Sequence, residues 1–520
     1  MTTLKTMLAV SLVVSAGAAT VALQKKDAAP ASSLSQPTVP SSTGPVRPTR
    51  FGVNLTTPLW WNGERAFMNL AAGGSWSSAG KGPWKAMEPS RIDAAGNLIS
   101  LTPGEQGILV MTPPAAVRAK DVAIHCSFEG KGAVAVFRGA SASVSANSAD
   151  FIWQKDKAVS LVINATDPAD PIRHIDCRER GADRKALFHP DFLDSVRPFH
   201  AVRYLDWQQS NMNRGGNWAQ RTPADASIQA GPEGVAVENL VALANQAGVN
   251  PWFVMPWNAD EAYMRNFARY VHDHLDRKRT VYLEIGNEAW NVAFPVGQQL
   301  LNETKAATPP GKDLNVARME RYAGHVVGAF KIWEDVYRDD PKRLVRILSG
   351  QAAWPELVKP ALAYRDTAQH VDAIASAPYF GQTLMNDDKV DTQNMDVLFA
   401  NLEASIEPAI QNSLKFKAIA EQHGLRYFAY EAGQHVTYRG PDLTAIARLN
   451  HDPRMAVVYR KYLDAWRARI GDLAMVFASV GPISRNAAWG LAEYEGQPLS
   501  ETPKRRAVLE AIAALEKKAK

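Results

Sequence analysis

Only two cysteines, Cys126 and Cys177, stand among 520 residues, which excludes a small disulfide-stapled scaffold and a finger-type metal centre as the organising principle of this chain. Both lie in one region. The sequence leaves open a single bridge between them in an oxidising compartment or a pair of buried thiols. His125 and His174 stand nearby, but no ligand spacing repeats, and no metal is expected.

Runs of one charge are also missing. Lys and Arg are scattered among the acids and the net charge is only +5, so nucleic acid, which would need a dense basic stripe, is not an expected partner. No Gly-x-Ser-x-Gly elbow, no glycine-rich phosphate loop opening a helix and no His-Glu-x-x-His helix occur, which removes the common serine-hydrolase, nucleotide-binding and zinc-protease readings. No cofactor is implied.

Long apolar runs are confined to the start of the chain. Lys5 precedes the apolar run 7–14 and the small residues 15–19, the pattern of an export signal. Residues 1–23 are therefore expected to be a signal peptide, or an uncleaved anchor given Lys25-Lys26 and an apolar run barely long enough to span. Contact with a membrane is expected only through that anchor, and the expected location is secreted or periplasmic. Residues 24–49, rich in Ala, Pro, Ser and Thr, cannot bury enough surface to fold and read as a linker.

What is present is alternation. From residue 199 onward, short apolar strands (199–206, 250–257, 280–287, 343–350, 371–380, 426–433 and 473–480) alternate with amphipathic helical stretches, the signature of a parallel sheet. The last helix follows Thr502-Pro503, with Thr502 as the expected cap. The extended run 51–55 supplies an eighth strand upstream. Residues 85–185 instead carry β-type segments with turn punctuation and little helical period. The expected fold is α/β: a (β/α)8 TIM barrel with a β-sandwich-like domain inserted after the first barrel strand, divided as 50–84 (first strand and loop), 85–185 (insertion) and 186–520 (the rest of the barrel).

The segment 280–291 reads TVYLEIGNEAWN and places Asn287-Glu288 at the end of strand four. Glu431 ends strand seven in YFAYEAGQH. In a parallel barrel both ends reach the C-terminal face, where active sites are built. Two carboxyls delivered there suit glycosidic cleavage, in which one acid protonates the leaving oxygen while the other attacks the anomeric carbon or activates water. Strand alternation puts Glu284 on the same side as Glu288, inside the barrel, where an unpaired carboxylate would be costly. Arg203 on strand two is its candidate partner.

This arrangement resembles the clan A retaining (β/α)8 glycoside hydrolases, in pattern more than in residue identity and without assignment to one family. The resemblance covers residues 51–55 and 199–515. It implies Glu288 as general acid/base, Glu431 as nucleophile, Asn287 as hydrogen-bond partner of a sugar 2-hydroxyl, and Arg203 as the cation that keeps a carboxylate ionised, unless it is a structural ion pair only. It also implies Tyr379 as a phenol donor to the nucleophile and Trp489 as a sugar-stacking ring, although both positions suit plain packing too. Asp206, Trp257 and His435 stand at other strand ends as candidate substrate contacts. The expected substrate is a polysaccharide or oligosaccharide. A transglycosylase using the same site, or a non-catalytic carbohydrate-binding or scaffold protein on a barrel, are the alternatives.

Overall fold

The computed structural model describes residues 44–80, 84–112, 120–155, 157–212, 216–382, 384–386, 390–438, 443–484 and 488–519. The expected signal or anchor segment, 1–23, and most of the linker expected at 24–49 lie outside the described residues.

Eight parallel strands close into a barrel: Arg47–Asn54, Ala201–Arg203, Asn250–Met255, Val281–Ile285, Leu344–Ser349, Ala373–Ser376, Arg426–Ala432 and Gly471–Val476. The first strand joins the last, with Phe51 opposite Ala474, and the second, with Asn54 opposite Arg203. Strand one starts at Arg47, inside the stretch expected to be linker, because its last residues are buried against both neighbours. The strands are predominantly apolar, as sheets covered on both faces must be, with Arg203, Glu284 and Glu431 among the buried exceptions. Trp252, Tyr282, Ile347, Phe428 and Met475 fill the interior. Phe253, Leu283, Leu348 and Ala429 face outward into the helical layer. Each fully buried large apolar side chain contributes about 1.5–3 kcal/mol.

The helix Glu261–His274 shows how the outer layer is specified. Asp260 caps it by accepting from the Tyr263 backbone N–H at 2.7 Å, a contact whose loss to Ala costs about 1 kcal/mol. Tyr263, Met264, Phe267, Ala268 and Val271 are buried along one face, the spacing of a helix that turns one stripe to a core. At the other end of the chain the helix Pro503–Ala519 follows Thr502, whose hydroxyl donates to the Pro498 carbonyl at 3.2 Å. Among the described residues no helix is long and apolar enough to cross a membrane.

Between the first and second barrel strands lie two antiparallel sheets. One is ordered Arg173–Glu179, Val122–Glu129, Ser148–Trp153, Ala140–Val144; the other Lys85–Ala86, Ser75–Ala79, Gln106–Val110, Ser160–Thr166, Gly132–Phe137. Trp76, Leu109 and Ile163 of the second pack on Ile124, Phe151, Trp153 and Ile175 of the first, the face-to-face arrangement of a sandwich. The sheets begin at Ser75, earlier than the expected 85. The segment Ser75–Ala79 is short and small-residued, and it becomes a strand by pairing with Gln106–Val110 and Lys85–Ala86.

Cys126 and Cys177 stand opposite each other on adjacent strands, 3.9 Å apart at Cα, and are joined in a disulfide. The sulfurs are thereby unavailable to a metal. His125 and His174 instead pair with Asp150 and Glu129. The sandwich is tied to barrel loops by Asn69, which donates to the Ile175 carbonyl and accepts from the Cys177 N–H, both at 2.9 Å, and by Ser227, which accepts from the Ile175 N–H at 2.8 Å.

Candidate active site

Arg203, at the end of the second strand and fully buried, organises the C-terminal face of the barrel. A guanidinium has five N–H donors and no acceptor, and five contacts use them. Nε and Nη2 donate to Glu284 at 3.0 and 2.9 Å, Nη2 also to Asn287 Oδ1 at 2.8 Å, and Nη1 to Asn54 Oδ1 at 3.0 Å and to Glu431 Oε1 at 2.8 Å. Burial disfavours its charge, but Glu284 and Glu431 more than restore it, and the guanidinium is held protonated. Removing either carboxylate would leave a buried cation short of compensation.

Glu284 lies in the interior, below the site. Beyond Arg203 it accepts from Trp252 Nε1 at 2.9 Å and from the Ser349 hydroxyl. It anchors the arginine from beneath while Glu431 meets it from above.

Glu431 and its predecessor Tyr430 both serve this face. Strict alternation would send neighbours to opposite sides of a strand. Strand seven breaks that rule, because its register with strand eight shifts between Ala429 and Ala432. Such an irregularity re-aims a side chain. Phe428 and Tyr430 point inward, and Glu431 still reaches Arg203. Its second oxygen accepts from the Tyr379 hydroxyl at 2.8 Å. Burial pushes the Glu431 carboxyl up, while the Arg203 charge and the two donated hydrogen bonds oppose that rise.

Glu288 is placed by a different device. The chain leaves strand four through Gly286 at φ +64° and reaches Glu288 at φ +44°, a left-handed conformation that costs an ordinary residue about 1–2 kcal/mol. Residues held this way cluster at functional sites. Its oxygens accept from Tyr430 Oη at 2.9 Å and Asn291 Nδ2 at 2.8 Å. Burial first, and then the nearby charge of Glu431, push it up to about 7. Arg203 touches Glu431 and not Glu288. Of the two carboxyls, Glu431 is therefore the one whose negative charge is directly compensated.

The other expected residues fall into two groups. Asn287 is buried beside the acids, accepting from Arg203 and donating to Asn211 at 2.9 Å. Asp206 lies just after strand two, close enough to feel both charges: burial and Glu431 raise its carboxyl to about 7, against the pull of Arg203. Tyr379, His435, Phe477 and Trp489 form an aromatic wall beside Glu431, with Tyr379 to His435 centroids 4.9 Å apart, His435 to Trp489 5.3 Å and Phe477 to Trp489 5.5 Å. Trp489 Nε1 lies 3.2 Å from His435 Nδ1, and burial keeps that imidazole neutral by lowering it to about 4. Trp257 is elsewhere. It is 2% exposed and stacks on His325 at 3.8 Å between strand three and the helical layer, where Gly286 leaves room for its ring. It is a packing residue rather than a wall of the cleft.

Asn291, which follows the acid in TVYLEIGNEAWN, completes the network together with Asn54, Asn211, Ser349 and Tyr430, which were not singled out from the sequence. Asn54 ends strand one, and its Nδ2 donates to the Tyr430 carbonyl at 3.0 Å. An asparagine ending an apolar strand was the available signal. His189, Asp191 and Glu495 also cluster, but around the Arg65 guanidinium, 2.9 Å from His189 and 3.7 Å from Glu495, which already supplies the positive charge there.

No family model and no curated protein matches the chain. Solved structures similar to it include the GH51 arabinofuranosidase from Xanthomonas axonopodis pv. citri, at 10% identity and TM-score 0.37, the match covering 60% of this chain and 63% of that one. A beta-glucosidase from Thermotoga maritima in complex with castanospermine matches at 10% identity and TM-score 0.37, over 62% and 84% of the two chains. An exo-beta-1,4-mannosidase from Opitutaceae bacterium strain TAV5 matches at 15% identity and TM-score 0.37, over 63% and 55%.

Proposed function

We propose that this protein is an exported glycoside hydrolase that cleaves a polysaccharide or oligosaccharide by a retaining double displacement. The observation that carries the reading is the unlike setting of the two strand-end carboxyls. Glu431 meets a buried guanidinium and a phenol; Glu288 meets neutral donors and the repulsion of its partner.

In the first step the ionised Glu431 attacks the anomeric carbon, and the bond from that carbon to the leaving oxygen breaks as Glu288 gives that oxygen its proton. As Glu431 is esterified its negative charge disappears, and with it the repulsion that keeps Glu288 protonated. Glu288 then takes a proton from water, whose oxygen displaces Glu431. Arg203 and Tyr379 hold the attacking carboxylate in place, and the aromatic wall offers a flat face to the C–H side of a sugar ring. The Cys126–Cys177 bridge supports export, since structural disulfides persist in oxidising compartments.

Glu431→Ala is expected to lose turnover on activated and natural glycosides alike, because no glycosyl-enzyme can form. Glu288→Ala should keep the first step on nitrophenyl glycosides, whose leaving group needs little protonation, and regain turnover with added azide. Wild-type-like activity of either variant on the natural glycan would overturn the assignment. An inverted anomer seen by NMR immediately after cleavage would retain the two acids but replace the double displacement with a single one. A product screen against plant, fungal and bacterial polysaccharides identifies the glycan.

A further inference from the structure

The last helix begins with an arrangement that stability alone does not account for. Lys504 occupies the first turn of Pro503–Ala519 and is buried. Cations are disfavoured at that end of a helix, and a buried ammonium is costly without a carboxylate. Among the described residues it forms no ion pair. Its Nζ donates instead to two neutral acceptors, Asn450 Oδ1 at 3.0 Å and the Ala488 carbonyl. Burial lowers the amine to about 7, against the weaker pull of the Glu493 charge.

The Ala488 carbonyl is gripped twice, since Gln434 Nε2 also donates to it at 2.6 Å. Ala488 immediately precedes Trp489, and the strip 488–492 lies directly on the chain after strand eight. Leu491 N–H donates to Ala478 at 2.8 Å and Gly481 N–H to Ala492 at 2.9 Å. A Cβ on Gly490 would sit 2.4 Å from the Gly481 nitrogen. The Trp489 ring thus projects from a segment held by the Leu491 and Gly481 backbone bonds and, at the Ala488 carbonyl just before the ring, by Lys504 and Gln434.

We propose that Lys504 is a positioning residue that sets glycan affinity by holding the Ala488 carbonyl and, through it, the Trp489 ring in the aromatic wall. This rests on the glycosidase reading above. Lys504 touches no reacting group, so the effect belongs in KM and not in the chemical step.

The test is K504M, which keeps the side-chain length and removes charge and donors. Replacing a buried charge by an apolar group of similar volume tends to be neutral or stabilising, so the Tm is expected to equal or exceed that of the full-length wild type. KM is expected to rise about three- to tenfold, the range of a weakened aromatic contact, with kcat on a nitrophenyl glycoside changed by less than about twofold. In a W489A background K504M should add nothing further to KM, since the two act through one ring. A K504M chain that fails to fold, or melts lower with unchanged KM, overturns the proposal in favour of a structural role. Additive effects of K504M and W489A, or an unchanged KM in W489A itself, also overturn it. A wild-type protein inert on every glycan ends the glycosidase reading and this inference together, whereas an active wild type with an indifferent K504M ends this inference alone.

Discussion

Carboxyl groups at the C-terminal face of the barrel and on the sandwich are pushed in opposite directions. At the C-terminal face of the barrel Asp206, Glu288 and Glu431 are all raised, and in each case burial is the largest cause. On the sandwich Glu105 is lowered to about 2, first by the Ser78 hydroxyl and then by Thr102, and Asp150 is lowered by His125 and then Arg180. The sandwich core itself is apolar, closed by a disulfide, with its charges at the surface. The barrel buries an arginine and several acids in one network. Low-dielectric burial makes such a network expensive and electrostatically potent at once, and on the proposed reading the chemistry belongs to the barrel while the sandwich has a stabilising or ancillary role.

The comparison breaks most sharply at Arg203. Arg203→Met would leave Glu284 and Glu431 buried without their cation, and one-sided removal from a buried pair costs about 3–5 kcal/mol. Urea unfolding should report that loss, and activity on nitrophenyl glycosides should vanish because Glu431 then holds a proton at neutral pH. The corresponding change on the sandwich, Arg180→Met, removes an exposed partner of Asp150 and should alter neither measurement. An Arg203→Met protein as stable as wild type would show that the network is not electrostatically coupled.

A smaller effect separates the two parts in the other direction. Replacing Cys126 and Cys177 by Ala opens a loop of sequence separation 51 and should destabilise the sandwich by about 2–4 kcal/mol. The acids are held by barrel strands, so KM and kcat at 25 °C should stay at wild-type values. Parallel loss of activity in the folded double variant would mean that the sandwich, through Asn69 and Ser227, helps to shape the cleft.

The barrel was legible in the sequence because most of its strands are largely apolar runs alternating with helical stretches, and such runs are what two covered faces require. Both acids were legible because a carboxyl ending such a run has few structural reasons to be there. Three features escaped for physical reasons. Trp257 ends strand three like a cleft residue, but the chain turns the ring outward onto His325, and no local pattern encodes that turn. Tyr430 stands next to Glu431, and the period-two rule assigns neighbours to opposite faces; the register shift that lets both reach the site arises from pairing with strand eight, a contact distant in sequence. The sandwich's first strand escaped for a related reason, since Ser75–Ala79 gains its β character from Gln106–Val110 and not from its own composition.

Tyr430 offers the finest test of the contrast between raised and lowered acids. Its hydroxyl donates to Glu288, which favours the carboxylate and holds the group lower than burial alone would. Glu288 must be protonated to act as an acid, so kcat/KM on the natural glycan should fall as pH rises through about 7. Tyr430→Phe removes the donor and makes the carboxylate harder to form. The alkaline limb should then move upward by about 0.5–1 pH unit, the equivalent of one hydrogen bond. On a nitrophenyl glycoside the glycosylation step should show little of this limb, because the leaving group needs no acid. Ser78→Ala removes a donor from Glu105 on the sandwich and should leave the limb where it was. A Tyr430→Phe limb that stays fixed or moves downward would mean that the acid governing catalysis is not Glu288, and would direct attention to Asp206, the other carboxyl raised to about 7 on the same face.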